Sequence, residues 1–555
     1  MALPARYSVF ILIILLALFC FAMTLGGAEF FIWPFAVFAG LTGLGIWDLT
    51  QKRHAVLRNY PVIGHARYML ESIRPELRQY FFESNLDGAP FSREKRSLVY
   101  DRAKDIEGNK PFGTEYNVYA NDYAWVNHSM VPKGGPGTPP VDPKTDERLR
   151  ISIGGPDCAK PYSASLFNIS AMSFGSLSAN AILALNTGAK TGGFAHDTGE
   201  GSVSRYHRAG GGDLIWELGS GYFGCRRPDG GFDAEAFEKQ AQNPQIKMIE
   251  IKLSQGAKPG HGGVLPGAKV TQEIAEARGV PVGVECISPS AHSAFSTPVE
   301  LLEFISTLRR LSGGKPVGFK LCIGHRWEFM AVVKAMLKTG ILPDFIVVDG
   351  AEGGTGAAPV EFSNRLGTPL RLGLSFVHNT LVATNLRDKI RIGASGKLIS
   401  AFDISGALCL GADWVNSARG FMFAIGCIQS QSCHTNRCPT GVATQDPKRQ
   451  MALVVPDKAT RVANFHHNTM KALMDFAEAS GLSSPKEFGP EHFYLREGHR
   501  TVLPASTAVD WLKPGSLLAE GHDHPGYSTY WLMADPDTFM PIRSVQSAKD
   551  ARQAR

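Results

Sequence analysis

No basic stripe with interleaved aromatics runs through this sequence, and 57 lysines and arginines against 51 acidic residues leave a formal net charge of only +6 over 555 residues. The electrostatic footprint of a nucleic-acid binder is therefore missing. Cysteine is scarce and odd in number: there are nine, with Cys20 in an apolar helix and most others in apolar strand contexts. This sets aside a disulfide framework and points to a reducing compartment. The phosphate fingerprint GxGxxG does not follow the first expected strand, which counts against an open doubly wound sheet. Glycine and proline, by contrast, are plentiful, at 59 and 34, the mark of many tight loops where backbone approaches a ligand. The length exceeds the roughly 250–300 residues at which a single core stops growing, so one large core with appendages is expected.

Two apolar runs open the chain. Residues 8–25, SVFILIILLALFCFAMTL, carry no charge and as a helix would cross about 30 Å of hydrocarbon. A Gly-Gly-Ala-Glu turn at 26–29 leads to FFIWPFAVFAGLTGLGIW at 30–47. A cleavable signal peptide is the rival reading; the second run and the lack of a small-x-small cleavage site favour a transmembrane hairpin, residues 1–54. Arg6 before it and Lys52, Arg53, His54 and Arg58 after it place both ends on the cytoplasmic side of the cell inner membrane, with the body of the chain expected in the cytoplasm. Residues 55–150 form a lead-in: helical spacing over 65–82 broken by Pro75, a charged, solvated helix over 92–105, and a Pro/Gly-rich linker over 131–146. Its basic residues fit a plain exposed face better than lipid contacts.

From 150 onward, short apolar strands alternate with helical stretches. Expected strands are 167–172, 193–197, 248–253, 282–286, 317–322, 345–349, 390–394 and 414–417, with helices at 177–191, 297–311, 326–340 and 400–411. Eight such strands in an α/β alternation predict a (β/α)8 TIM barrel spanning 151–480, with the doubly wound sheet as alternative. An amphipathic helix within 450–480 is expected to cover it. Residues 481–555 read as a loop-rich extension with a partly disordered polar tail.

The most unusual stretch is CIQSQSCHTNRCPTGVATQ, residues 427–445. Cys427, Cys433 and Cys438 stand in a turn-rich segment able to converge three thiolates. Structural zinc usually takes four ligands and no second cysteine pair is present, so three soft donors favour an iron–sulfur cluster lacking one iron. Zinc completed by His434, and three buried apolar cysteines, remain the alternatives.

This segment resembles the C-x5-CHxNxC…GVATQ signature of glutamate synthase large subunits, and the similarity continues upstream through MSFGS (172–176), TGEG (198–201), IKLSQGAKPG (251–260), LPG (265–267) and GGTGA (353–357). The resemblance implies an FMN-linked barrel, with a 3Fe-4S cluster on Cys427, Cys433 and Cys438. It implies Met172, Ser173 and Gly175 against the flavin ring, with Gln255, Gly353, Gly354 and Thr355 among the cofactor contacts. Lys320, in VGFKL, would point inward and supply a cation near the flavin N1–O2 edge; a surface lysine is the alternative. The loops after strands seven and eight, Gly393, Ser395, Gly396 and Lys397, then Ser417, Ala418 and Arg419, would cradle its phosphate. Lys258 and Arg278 suit the carboxylates of a 2-oxo acid, and Glu200 with Lys258 would serve where it condenses with ammonia to an imine; Arg278 also reads as a helix-end surface residue.

Tyr222, His261 and Val264 depart from the arginine, glutamate and glutamine usual in the family, which leaves the substrate open between 2-oxoglutarate with ammonia and an alkylamine, as in N-methylglutamate synthases. A non-catalytic flavin and iron–sulfur electron carrier is a further alternative. The amidotransferase and β-helix domains of the large synthases have no counterpart here, nor does a nicotinamide-binding fold. The nitrogen would therefore come from free ammonia, an amine or a separate amidotransferase subunit, and the electrons from ferredoxin, a flavoprotein subunit or a membrane carrier.

Overall fold

The structure, a computed structural model, describes residues 5–135, 141–498 and 501–542. The chain divides into two compact units, Met1–Ala89 and Pro90–Arg555. In the first, helices α1 (Ser8–Leu25) and α2 (Ile32–Thr50) pack against each other, Phe10 lying over Gly45 and the Phe21 and Phe35 rings 5.1 Å apart. Both are long and apolar enough to cross a membrane, and most of their surface is exposed. Helix α3 (Gly64–Leu77) follows; it carries Pro75 in its last turn and runs on into a π turn at Arg78–Phe82.

The second unit is built on a closed barrel of eight parallel strands: β1 (Phe167–Ile169), β2 (His196–Asp197), β3 (Leu214–Leu218), β4 (Ile246–Lys252), β5 (Val317–Leu321), β6 (Phe345–Asp349), β7 (Arg391–Ser395) and β8 (Trp414–Ser417). Each pairs with the next, and β8 returns to β1 through Asn416 and Asn168. Side chains alternate along a strand, so Ile215 and Glu217, and Met248, Glu250 and Lys252, face inward in successive layers. The lowest layer is apolar: Ala195, Ile215, Met248, Phe345 and Trp414 meet Ile153, Tyr162 and Ala164 from a hairpin that closes the barrel floor. Above it the interior turns charged.

Seven of the eight expected strands are in the barrel, the first two shorter than expected. The eighth is a correction. Residues 282–286 do not join the barrel; Val282 and Val284 are half exposed, and only Cys286–Ile287 pairs, with Val264–Leu265 outside it. Their place belongs to β3, LIWEL, buried on both faces and so lacking the polar–apolar alternation that marks a half-exposed strand. The loop SQGAKPG therefore follows the fourth strand and not the third, while Lys320 stays on the fifth.

The helix expected to be solvated, Arg93–Ala103, instead buries Arg96, Val99 and Ala103, with the Phe91 and Tyr100 rings against Phe423. Of the extension, Phe493–Glu497 and Thr501–Pro504 form a sheet with Ala124–Val126, and Ser528–Met533 packs on the helix Arg326–Thr339. The tail beyond residue 542 lies outside the described residues.

Gly393 of β7 sits against the Trp414 indole, and a Cβ there would lie 2.5 Å from a ring carbon. Gly393→Ala is expected to destabilise the barrel by about 1–3 kcal/mol through overpacking, read as a lower Tm in a melt followed by circular dichroism.

Candidate functional site at the barrel mouth

In the middle layer, the Lys320 ammonium is ringed by carboxylates: Glu217 in direct contact, Glu250 at 2.9 Å and Asp197 at 4.0 Å. All four side chains are buried, and the three acids lie within 4.8 Å of one another. Burial, followed by the charge of Glu250, raises the Asp197 pKa well above the usual carboxylate range, with Lys320 opposing; burial likewise raises Glu250. One layer higher, Asp349 accepts from Gly256 N at 2.7 Å and from the Ser395 hydroxyl, tying the loop after β4 to the ends of β6 and β7.

At the mouth stands a second charged group. Glu200, in the loop after β2, pairs with Lys252 of β4 at 3.1 Å. Burial raises its pKa, but Lys252, Arg278 and Lys258 together hold it down to about 2. Lys258 is buried, and burial lowers its own pKa. Such close approach requires glycine beside the acid: a Cβ on Gly263 would fall 1.9 Å from a Glu200 oxygen. Arg278 is not a surface residue. It is buried, its guanidinium lies 5.0 Å over the Phe223 ring, and it donates to Phe174 O at 3.2 Å and, at the limit of a hydrogen bond, to Ser173 Oγ at 3.5 Å, leaving a buried Nε without a partner.

Opposite Lys252, Ala294 N and the Tyr222 hydroxyl are 3.1 Å apart, as are that hydroxyl and His292 Nδ1, while His292 Nε2 is 2.8 Å from Lys252 O. A carbonyl accepts only, so Nε2 carries the proton and Nδ1 accepts from the tyrosine. Burial holds this imidazole neutral, with a pKa down to about 4. Tyr222 and His292 thus form a neutral wall beside the cations. A small cavity runs along it, lined by Glu200, Lys252, Gln255, His261 and His292 among others.

The cysteine segment folds against this mouth. Cys427 and Cys438 are buried and Cys433 partly so, and Cys433 and Cys438 lie close enough for their charge to act on the Cys427 thiol. Burial raises the Cys427 thiol to about 11, with Arg419 opposing; burial also acts on Cys438, but hydrogen bonds from Ala443 N and the Thr440 hydroxyl bring it below the usual value. His434 is exposed. Gln445 Nε2 donates to Gly175 O at 2.9 Å and Leu177 O at 2.8 Å, and Asn436 Oδ1 accepts from Gln445 N at 2.7 Å, so the cysteine turn is pinned to the MSFGS loop. Arg419 reaches from Thr355 O, at 2.8 Å, to Cys433 Sγ, at 3.8 Å, and joins the loop after β6 to the same turn.

A family model described as the conserved region in glutamate synthase matches residues 146–483, more than half of the chain. The chain belongs to the glutamate synthase family. Glutamate synthase large subunit-like protein YerD of Bacillus subtilis is 40% identical over 502 residues, which cover 85% of this chain and 94% of that one. An archaeal-type glutamate synthase (NADPH) of Thermotoga neapolitana is 35% identical over 295 residues, 53% of this chain and 55% of that one, so this chain spans about half the length of such relatives. Among solved structures, a flavocytochrome b2 variant with pyruvate bound superimposes with a TM-score of 0.40 and 14% identity, over 82% of this chain and 91% of that one.

The site residues expected from the sequence fall into three groups. Glu200, Lys258 and Arg278 come together at the mouth, close to Ser173 and Gly175. Gly353, Gly354, Thr355, Ser395, Gly396, Lys397, Ser417, Ala418 and Arg419 lie at the ends of β6, β7 and β8; Ser395 is committed to Asp349, and Lys397 is exposed, 6.0 Å over the Phe91 ring. Gly393 stands lower, within its strand against Trp414, and Lys320 is enclosed in the carboxylate ring. Sequence reasoning missed Lys252, which lies inside the quoted IKLSQGAKPG run, and the acids Asp197, Glu217 and Glu250. The clearest signal was Glu217, the one charge in the apolar run LIWEL, since charged residues are seldom buried unless paired.

Lys320→Met would leave three buried carboxylates without a cation and is expected to cost about 3–5 kcal/mol. Acids whose folded pKa is raised favour the folded state below their unfolded pKa and lose that contribution as pH rises through the folded value. The variant's stability should therefore fall as pH climbs above about 4, measured by denaturant melts across pH. Glu200 has the opposite sign. Its contribution is present above its usual 4.5 and disappears as pH falls toward about 2, so Glu200→Gln should flatten the acid limb in that window.

Proposed function

We propose that this chain is an FMN- and iron–sulfur-dependent oxidoreductase of the glutamate synthase type, which aminates 2-oxoglutarate or a related 2-oxo acid by way of an imine. The observation that carries this reading is the group of three cations, Lys252, Lys258 and Arg278, around the single carboxylate Glu200, beside a wall kept neutral. The excess positive charge suits a dicarboxylate, which Lys258 and Arg278 would hold by charge-assisted hydrogen bonds.

Glu200 begins ionised. A dianion binding to its cations would weaken their hold and raise its pKa, fitting it to take a proton from the incoming nitrogen as the imine forms. His292, through the Lys252 carbonyl, fixes the backbone from which Lys252 reaches Glu200. FMN, when bound, would supply the hydride chemistry that reduces an imine carbon; Lys397, Ser417 and Arg419 are anion-binding side chains suited to its phosphate, whereas the interior cation Lys320 is held by Glu217 and Glu250 and would have to exchange those partners to serve the ring. A 3Fe-4S cluster supplies one-electron transfer, and three thiols flanked by hydrogen-bond donors and by Arg419 form a suitable donor set. Tyr222 and Val264, less polar than the residues usual in the family, favour testing an alkylamine alongside ammonia.

In the same reading α1 and α2 anchor the protein in the cytoplasmic membrane with the barrel in the cytoplasm, electrons arrive from ferredoxin, a flavoprotein subunit or a membrane carrier, and nitrogen arrives free or from a separate amidotransferase.

The test is anaerobic mixing of the reduced protein with 2-oxoglutarate and ammonia, or with an alkylamine, followed at the flavin absorbance. Return of the oxidised spectrum supports the reading, and failure with every acid and amine pair removes it. Lys258→Met is expected to raise KM, and Glu200→Gln to lower kcat by on the order of 10²-fold. Protein purified without oxygen should carry iron and acid-labile sulfide, and Cys438→Ala should lose both.

A further inference from the structure

We propose that α3 and the π turn after it lie flat against the headgroup layer of an anionic lipid leaflet. The inference rests on reading α1 and α2 as membrane spans and adds a surface to it. Residues 52–82 hold six lysines and arginines against two acidic residues. At 100° per residue, Leu70, Ile73 and Leu77 share one stripe of α3, which Phe81 continues, while Arg67, Arg74 and Arg78 run along one edge of it and Ser72 lies opposite. Leu70 is 54% exposed, Ile73 42% and Phe81 76%. A stripe of this size left open to solvent marks an interaction surface.

Two observations identify the occupant. The first is position. Asp48, in the last turn of α2, is fully buried and accepts from Val62 N at 2.9 Å and from His65 Nε2 at 2.9 Å. The chain consequently doubles back over residues 51–63, and α3 begins level with the polar end of the second apolar helix instead of farther out. With that helix in a bilayer, this is the level of the headgroups. The second is charge. An apolar stripe edged by arginines matches acyl chains beneath anionic headgroups, whereas a second copy of α3 would bring like charges together.

The full-length protein would be placed in nanodiscs of phosphatidylglycerol and phosphatidylcholine, with the photocrosslinker p-benzoylphenylalanine replacing Leu70, Phe81, Ser72 or, within α1, Leu15. Lipid adducts are expected at positions 70, 81 and 15 and not at 72. The yield at 70 should fall several-fold in phosphatidylcholine alone, or when Arg67, Arg74 and Arg78 are changed to Gln. Adducts at 15 with none at 70 and 81 would overturn the inference while leaving the membrane reading intact. Protein–protein adducts of doubled mass at 70 would overturn it in favour of a second copy. No adduct at 15 would bring down both.

Discussion

The ammonium of Lys320, enclosed among Asp197, Glu217 and Glu250, is the interaction on which the rest of the barrel depends. Each of these charges alone would cost several kcal/mol to bury, and they come from four strands, β2 to β5. The ammonium offsets one carboxylate charge while burial biases Asp197 and Glu250 toward their protonated forms, and the four side chains meet only if those strands lie side by side with their inward faces in phase. Sliding one strand by a single residue would turn its charge into the outer helical layer. The charged layer thus specifies register where an apolar interior would tolerate several. The same phase lifts Lys252, two residues beyond Glu250, into reach of Glu200, so the order of the mouth follows from the pairing below it.

A second dependence links the mouth to the cysteine turn. Gln445, Asn436 and Arg419 connect that turn to the loops after β1 and β6. From the other side, the Tyr100 hydroxyl donates to Cys427 O at 2.7 Å, which gives the lead-in helix a structural role. These contacts explain why motifs far apart in the chain occur together: MSFGS, GGTGA and CHTNRC…GVATQ are the surfaces of one joint. A change in the cysteine turn would be felt at the mouth through these direct contacts.

Most of the barrel was legible because short apolar strands separated by amphipathic helices leave few other ways to bury their surface, and the apolar residues flanking Lys320 in VGFKL favoured an inward lysine over a surface one. The errors have physical causes. LIWEL is apolar on both faces and gives no periodic signal, while the valines of 282–284 imitate a strand although they are half exposed. Arg278 could be read as a helix-end residue or as a ligand because both begin from the same local sequence; its burial beneath Phe223 comes from a loop over fifty residues upstream. The helix Arg93–Ala103 looked solvated by charge, yet Arg96 is buried and Val99 and Ala103 face the core.

By itself, then, the sequence determined most of the local elements, the two long apolar helices and the glutamate synthase motifs, since these depend on composition and on spacing over a few positions. Tertiary structure alone decided which strands are neighbours, that Lys320 meets three acids and that Glu200 is held ionised by Lys252. Those outcomes depend on contacts between segments tens to hundreds of residues apart and on exclusion of water from charges, and both arise only when the barrel closes.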